Sequence, residues 1–467
     1  MSSKIYKIQN NFFDLVLDHF GQFYGPLENQ DPIKSAELLA TSSTGKILEI
    51  LPQLRDDIFE FWEKNHIQLY SEIYKVRGLK AGFHGDISPI ESENVISRTA
   101  LYVDSILIPD PLLKMLEMPL KIFKKRHYVY YLIKHTFNIL NSKDIFLING
   151  DYPISILYPL KLDLMDQRKE LCVKEADVDV LSYFSELCDK EIKSMEELDE
   201  LLMKDDISLL KEIKNIDLII PHFKNIDSPI RGLEDGEKKM KDIGMIPFQD
   251  FSSGMMLKTY VLGRFRGISD HFLDCTELKS KSLFNEENGW FLFNWKINNG
   301  SQKTVQQCKL DVDTLVINAL QLDNFRWLGN IPTKKIIKIR ENGELQDLRD
   351  LFRREIFDLS HSRMDELIEI SKKVSYNLNQ AFKKHKSEVN KLNEDYKRRY
   401  KIDGSLLVIG AIGIAASFIF PPAAALSIVG GGGLADFVIK QDEHVKKISE
   451  LNDRPVGILF NSYNTES

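Results

Sequence analysis

The run TALYVDSILIP, residues 99–109, is the clearest strand pattern in the first half of the chain, because apolar and β-branched residues fill most of it. A helical pattern follows from about residue 112 to residue 140, and strand patterns return at residues 144–149 and 154–158. Strand, helix and strand in succession predict a small α/β unit with a parallel pair of strands. Most other segments have helical periodicity, so the expected fold is mainly α with a small α/β unit, α+β overall.

Three aspartates lie on or just past these strand segments, namely Asp104, Asp110 and Asp151. Open α/β sheets place their ligands beyond the ends of their strands. Clustered carboxylates at such a place would bind Mg²⁺ or Mn²⁺ and activate a water molecule. The alternative interpretation is that they are ordinary aspartates at strand ends.

The residues VDSILI, 103–108, resemble the first strand of PIN-type nucleases, in which an aspartate precedes a short apolar run. The resemblance covers this one strand. It implies a metal-dependent nuclease with Mg or Mn as the cofactor and with the three aspartates as candidate catalytic residues. The further acidic residues of such a site would come from Asp177, Asp179, Glu196 or Glu197.

The middle of the chain predicts an acidic helical segment and one β-hairpin. Residues 163–215 are helical in pattern and rich in Asp and Glu, and another helix is expected at about 255–273. Residues 290–297 and 302–310 flank the sequence NNGS, and Asn-Gly fits the tight turn of a hairpin spanning residues 290–310. Residues 80–93, which include His84, are expected to form a loop.

A nearly uninterrupted helical pattern runs from residue 343 to about residue 401, with apolar residues recurring at intervals of three and four. One continuous helix of this length would extend ~85 Å at ~1.5 Å per residue. This length predicts a coiled coil or a stalk, and an oligomeric scaffold is therefore one alternative function.

The stretch GSLLVIGAIGIAASFIFPPAAALSIVGGGGLA, residues 404–435, contains no charged residue. Pro421 and Pro422 end any helix begun near its start. The first arm, residues 406–420, is then only ~23 Å long at ~1.5 Å per residue, whereas a bilayer core is ~30 Å thick. A helical hairpin is therefore expected, either buried against the chain or inserted into a membrane or a protein partner.

The candidate side chains of this hairpin fall into two groups. The inserting or buried residues are Leu406, Ile409, Ile414, Phe418 and Phe420. The basic flank consists of Lys397, Arg398, Arg399 and Lys401. Basic residues on both sides of the hairpin predict that its two ends stay on the cytoplasmic side.

Composition indicates a globular protein, with 43% apolar and 28% charged residues among 467. The net charge of −7 makes nucleic acid an unlikely partner. Residues 1–10 are polar and the four cysteines form no CxxC pair, so a reducing cytoplasm is expected, with a possible peripheral place on the inner face of the membrane. No zinc motif, P-loop or nucleophile elbow is present, which lowers the expectation of an enzyme.

The expected organisation has four segments. Residues 1–160 carry the α/β unit, 161–335 the acidic helices and the hairpin, 336–403 the long helix or coiled coil, and 404–467 the apolar hairpin and tail. The leading hypothesis is a non-enzymatic cytoplasmic interaction or effector protein that acts through the apolar hairpin. The nuclease, with Mg or Mn, and the oligomeric coiled-coil scaffold are the alternatives; no cofactor is expected for the leading hypothesis.

Overall fold

The computed structural model describes residues 4–85, 95–118, 124–147, 153–159, 165–204, 253–284, 287–299, 311–354, 364–400 and 434–464. The strands are β1 Lys80–His84, β2 Ser105–Pro109, β3 Ser155–Tyr158 and β4 Lys281–Phe284. The helices are α1 Lys4–Tyr24, α2 Pro32–Ser42, α3 Thr44–Lys75, α4 Val95–Ala100, α5 Pro111–Glu117, α6 Lys125–Asn141, α7 Lys143–Phe146, α8 Met165–Leu187, α9 Met195–Lys204, α10 Ser253–Leu278, α11 Glu287–Asn299, α12 Val312–Ala319, α13 Thr333–Glu341, α14 Leu345–Arg353, α15 Met364–Tyr400, α16 Leu434–Asn452 and α17 Pro455–Asn464, with short 3-10 helices at Gly25–Leu27 and Asp323–Asn330.

The four strands form one parallel sheet in the order β3-β2-β1-β4. Nearly all of their residues are buried, as is usual for a parallel sheet covered on both faces. The mainly α fold with a small α/β unit and the predicted parallel pair are therefore confirmed. Because β4 pairs with β1, the sheet crosses the segment boundary predicted at residue 160.

Both open edges of the sheet are closed by a buried amide side chain. On β3, Gln9 of α1 accepts a hydrogen bond from the Leu157 N–H at 3.0 Å and donates one to the Leu157 carbonyl at 2.9 Å. On β4, Asn318 of α12 accepts from the Phe284 N–H at 2.9 Å and donates to the Ser282 carbonyl at 2.8 Å. An unpaired strand edge is a template for pairing with another chain, so within the described residues these amides cap both edges of the sheet.

The prediction that residues 290–297 form the first strand of a hairpin is wrong, because these residues belong to helix α11. Trp290, Phe293 and Ile297 follow one another at intervals of three and four, whereas Phe291, Phe293, Trp295 and Ile297 alternate. A short, almost wholly apolar run fits both periods, and packing against Phe272 and Phe284 selects the helix. The rest of the predicted hairpin, residues 300–310, lies outside the described residues.

Three further strand and loop predictions are corrected. The strand predicted at residues 99–109 begins only at Ser105, since helix α4 extends to Ala100. In the strand predicted at residues 144–149, residues 144–146 lie in helix α7, and residues 148–149 lie outside the described residues. Residues 80–84 of the predicted loop form strand β1, whose identity depends on pairing with β2 and β4, distant in sequence.

The single long helix predicted from residue 343 is also wrong. Helix α14 ends at Arg353, because Arg354 has an extended backbone with φ −54° and ψ 126°. Helix α15 begins at Met364 and packs against α12, α14, α16 and α17 of its own chain. In the predicted tail, Pro455–Asn464 form helix α17.

Candidate functional site

Helices α15 and α16 form an antiparallel pair, here called the arm. His385 Nε2 lies 3.2 Å from Asn452 Oδ1, and His444 Nε2 lies 3.0 Å from Asn393 Oδ1. The contact on α15 thus moves eight residues toward the C-terminus, from 385 to 393, while the contact on α16 moves eight residues toward the N-terminus, from 452 to 444. The C-terminal end of α15 and the N-terminal end of α16 therefore lie at the same end of the arm.

The base of the arm is held by aromatic side chains. Phe382 of α15 lies 6.1 Å from Trp327, 5.6 Å from Phe460 and 5.5 Å from Tyr463, between ring centroids. Each such pair contributes ~0.5–1.5 kcal/mol beyond the area it buries. The base is therefore fixed to the 3-10 helix at residues 323–330 and to α17.

Beyond the base, α15 has little apolar contact with the body. Between residues 386 and 395, Asn393 is the one buried residue. From His385 to Tyr400 the helix extends ~23 Å at ~1.5 Å per residue. The outer part of the arm therefore depends on the seam between α15 and α16, whose centre is polar.

The two histidines of the seam are held in their neutral form. Burial lowers the pKa of His385, while the hydrogen bond to Asn452 and the charge of Glu388 act against this shift and Arg454 adds to it. Burial also lowers the pKa of His444, and the charge of Lys447 adds to the effect. A neutral imidazole donates or accepts at Nε2, which suits the amide partners across the seam.

The candidate residues of the apolar hairpin, Leu406, Ile409, Ile414, Phe418 and Phe420, lie outside the described residues, as does Lys401. The backbone of Lys397, Arg398 and Arg399 forms the last turn of α15. Arg398 is exposed, and its guanidinium lies 4.0 Å from the Asp395 carboxylate. Among the described helices, none combines the length and the apolar character needed to cross a membrane.

Asp104, the first candidate catalytic residue, lies immediately before β2 and is bound by protein groups. Its Oδ2 accepts hydrogen bonds from the Leu79 N–H at 2.6 Å and from Arg349 Nη2 at 2.9 Å. Arg349 also donates to the Tyr102 carbonyl at 2.7 Å. Asp104 thus connects β2 to helix α14.

Asp110, the second candidate, lies just after β2 and is buried. Its carboxylate accepts hydrogen bonds from Trp62 Nε1 at 2.6 Å and from the Leu112 N–H at 2.9 Å, and it caps α5. Burial raises the pKa of Asp110 to about 6, against the lowering effect of these hydrogen bonds. At ~3.3 Å per residue, Asp104 and Asp110 are roughly 20 Å apart, so the structure does not bring them together.

The remaining acidic candidates do not complete a shared site in the described structure. Asp151 lies outside the described residues. Asp179 is buried against the Lys296 ammonium, and burial raises the pKa of this carboxyl while Lys296 opposes the rise. Glu197 accepts from the Lys193 N–H, and Asp177 lies 3.9 Å from Arg266. Within the described ranges, no group of three or more His, Cys, Asp or Glu could hold a metal ion.

The paired histidines and asparagines of the arm were not predicted from the sequence. The available signal was the equal spacing of His385 to Asn393 and of His444 to Asn452 on two helices that flank the apolar stretch. No protein-family model, curated protein or solved structure matches this chain.

Proposed function

We propose that this chain is a non-enzymatic interaction protein that presents its apolar segment to a lipid bilayer from the end of the arm. The observation that carries the proposal is the antiparallel register of α15 and α16. Both ends of residues 401–433 are attached to the same end of the arm, as a hairpin that enters one leaflet requires. A segment that crossed the bilayer would need its ends on opposite sides.

The energetics favour insertion of the apolar side chains. Leu406, Ile409, Ile414, Phe418 and Phe420 would each gain about 2 kcal/mol on leaving water, or about 10 kcal/mol together. This gross gain is offset by the cost of ordering the segment at the bilayer surface.

The basic flank favours an anionic bilayer, rather than a groove on a protein partner, as the target of the apolar segment. Lys397, Arg398, Arg399 and Lys401 precede the apolar segment. Each basic residue near an anionic surface contributes about 1 kcal/mol. The proposal therefore makes the protein cytoplasmic and peripheral, on the anionic inner face of the membrane.

Flotation with vesicles of phosphatidylcholine and phosphatidylglycerol tests the proposal. The wild-type protein should float with the vesicles. An Asp in the hydrocarbon region costs about 3 kcal/mol, so the Ile414→Asp/Phe418→Asp variant should bind at least about 100-fold more weakly. Ile67→Asp is the matched control, because Ile67 is 72% exposed on α3, in the body of the protein, and it should float like the wild type.

Two results would contradict the proposal. One is a wild-type protein that stays in the aqueous fraction, which would leave a protein groove as the target of the segment. The other is equal flotation of Ile414→Asp/Phe418→Asp and Ile67→Asp. The scaffold alternative predicts instead a defined multimer whose mass by light scattering survives deletion of residues 404–433.

A further inference from the structure

A pocket with a volume of about 510 Å³ lies where helix α3 meets the end of α5 and the start of α6. On α3 it is lined by Leu51, Pro52, Arg55, Asp56 and Phe59. Residues spaced in this way, at intervals of one, four, five and eight from the first, share one face of a helix. Ligand pockets have volumes of ~300–1,000 Å³, so this pocket has room for a small molecule.

The opposite side of the pocket comes from α5 and α6. Leu116 lies in the last turn of α5, Met118 directly follows this helix, and Tyr128 lies in the first turn of α6. The Tyr128 hydroxyl donates a hydrogen bond to the Met115 carbonyl at 3.1 Å, which joins α6 to α5. Leu51, Leu116 and Tyr128 are buried. The pocket therefore has an apolar floor that the packing of three helices holds in place.

Two opposite charges lie at the mouth of the pocket, where Arg55 and Asp56 are both exposed. Neither side chain has an ion-pair or hydrogen-bond partner in the part of the chain that the structure describes. The next residue, Asp57, differs in this respect, because its carboxylate lies 2.8 Å from His19 Nε2. The Arg55 guanidinium carbon lies 5.7 Å from the centroid of the Phe59 ring, and this contact holds the cation beside the pocket.

We propose that this pocket, here called the α3–α6 pocket, binds a free α-amino acid that has a large apolar side chain. Arg55 pairs with the α-carboxylate of the ligand, because a planar guanidinium matches a carboxylate with two parallel hydrogen bonds. Asp56 accepts hydrogen bonds from the α-ammonium group. The side chain of the ligand enters the pocket, where Leu51, Leu116 and Tyr128 replace the water around it.

The two charges together select a zwitterion. Adjacent positions on a helix do not face each other, so Arg55 and Asp56 do not neutralise one another. A fatty acid or another monocarboxylate would pair with Arg55 but would bring a second negative charge to Asp56. An apolar amine would pair with Asp56 but would bring a second positive charge to Arg55. An α-amino acid gives each of them an opposite charge, and the like-charge contacts act against the other two classes.

Calorimetric titration of the full chain with L-phenylalanine tests the proposal. L-phenylalanine should bind with a Kd below about 10 mM. Glycine lacks the apolar side chain and should bind at least about tenfold more weakly. The compounds 3-phenylpropionate, which lacks the ammonium group, and 2-phenylethylamine, which lacks the carboxylate, should each bind about fivefold more weakly, since each loses one contact with an exposed charge.

Two variants assign each charge of the ligand to its partner. Arg55→Gln should weaken binding of L-phenylalanine about fivefold without weakening that of 2-phenylethylamine, which has no carboxylate. Asp56→Asn should weaken binding of L-phenylalanine about fivefold without weakening that of 3-phenylpropionate, which has no ammonium group. Lys64→Gln and Glu60→Gln are the matched controls, because these exposed residues of α3 pair with each other and do not line the pocket. Both controls should bind L-phenylalanine like the wild type.

Four results would overturn the proposal. One is no binding of L-phenylalanine up to about 10 mM, and another is equal binding of L-phenylalanine and glycine. Binding of 3-phenylpropionate as tight as that of L-phenylalanine would make the ligand a monocarboxylate instead. Equal weakening by Arg55→Gln and the control Lys64→Gln would remove the pocket as the site. The α3–α6 pocket is separate from the proposed membrane function, so Arg55→Gln and Asp56→Asn should float with vesicles like the wild type.

Discussion

Replacing Asp104 by Asn distinguishes a structural role for this residue from a catalytic one. The Asp104 carboxylate is 30% exposed, and its partner Arg349 is 10% exposed, at 2.9 Å. An Asn at this position keeps an oxygen for the Leu79 N–H but loses the charge that holds Arg349. Hydrogen bonds to charged groups contribute about 1.5–3 kcal/mol, so Asp104→Asn should lower the free energy of unfolding by about 2 kcal/mol.

Urea unfolding followed by circular dichroism measures this loss. Asp323→Asn is the matched control, because Asp323 is 82% exposed and pairs with Arg326 on the same 3-10 helix at 3.0 Å. An exposed pair of this kind contributes less than about 1 kcal/mol. If Asp104→Asn were as stable as Asp323→Asn and abolished a Mn²⁺-dependent cleavage of nucleic acid by the wild type, the structural assignment would be refuted in favour of the nuclease.

Three more predictions concern the sheet, the buried ion pair and the arm. Asn318→Leu leaves a buried N–H and a buried carbonyl of β4 without partners, at about 1–3 kcal/mol each, so its urea midpoint should fall clearly; an unchanged midpoint would contradict the edge-capping role. Lys296→Met leaves the buried Asp179 carboxylate without its cation and should lower the free energy of unfolding by about 3–5 kcal/mol, whereas adding Asp179→Leu should recover most of this loss. Unfolding curves in which the double variant is no more stable than the single one would contradict this prediction. For the arm, the lowered pKa values of His385 and His444 mean that the separated helices bind more protons than the packed ones, so the arm is closed above about pH 6.5 and weakens as the pH falls below this value. Below about pH 6.5, amide hydrogen exchange of the arm, corrected for intrinsic rates, should rise in the wild type but not in His385→Gln/His444→Gln. Exchange of the wild-type arm that does not depend on pH would contradict the prediction.

The helices were the most predictable part of this fold. The repeating apolar positions of α10 lie on one helix face over many residues, so the period of the pattern alone identified this helix. Strand β2 was predictable for a related reason, because its continuous apolar run suits a strand that is buried on both faces.

Strands β1 and β4 were not predictable in the same way. Their sequences, KAGFH and KSLF, are short and contain glycine, lysine or serine. They become strands because each pairs with a neighbour that is distant in sequence, and single-sequence patterns do not record such pairings. Residues 290–297 were misassigned because an almost wholly apolar run fits a buried helix as well as a strand.

The candidate site was predictable in its parts but not in its assembly. The apolar stretch and its basic flank were evident from composition, and a charged helical segment before the stretch was expected. That α15 and α16 pair with each other depends on His385 meeting Asn452 and His444 meeting Asn393, which are contacts between residues more than 50 positions apart.

Fluorescence quenching by brominated lipids tests the central claim most directly. Phe418→Trp places an indole in the apolar segment, and Ile67→Trp places one on the exposed face of α3 as the reference. The account predicts that vesicles with bromine on their acyl chains quench the added emission of Phe418→Trp and leave that of Ile67→Trp unchanged. Equal quenching of the two vesicle-bound variants, or no quenching of either, would contradict insertion of this segment.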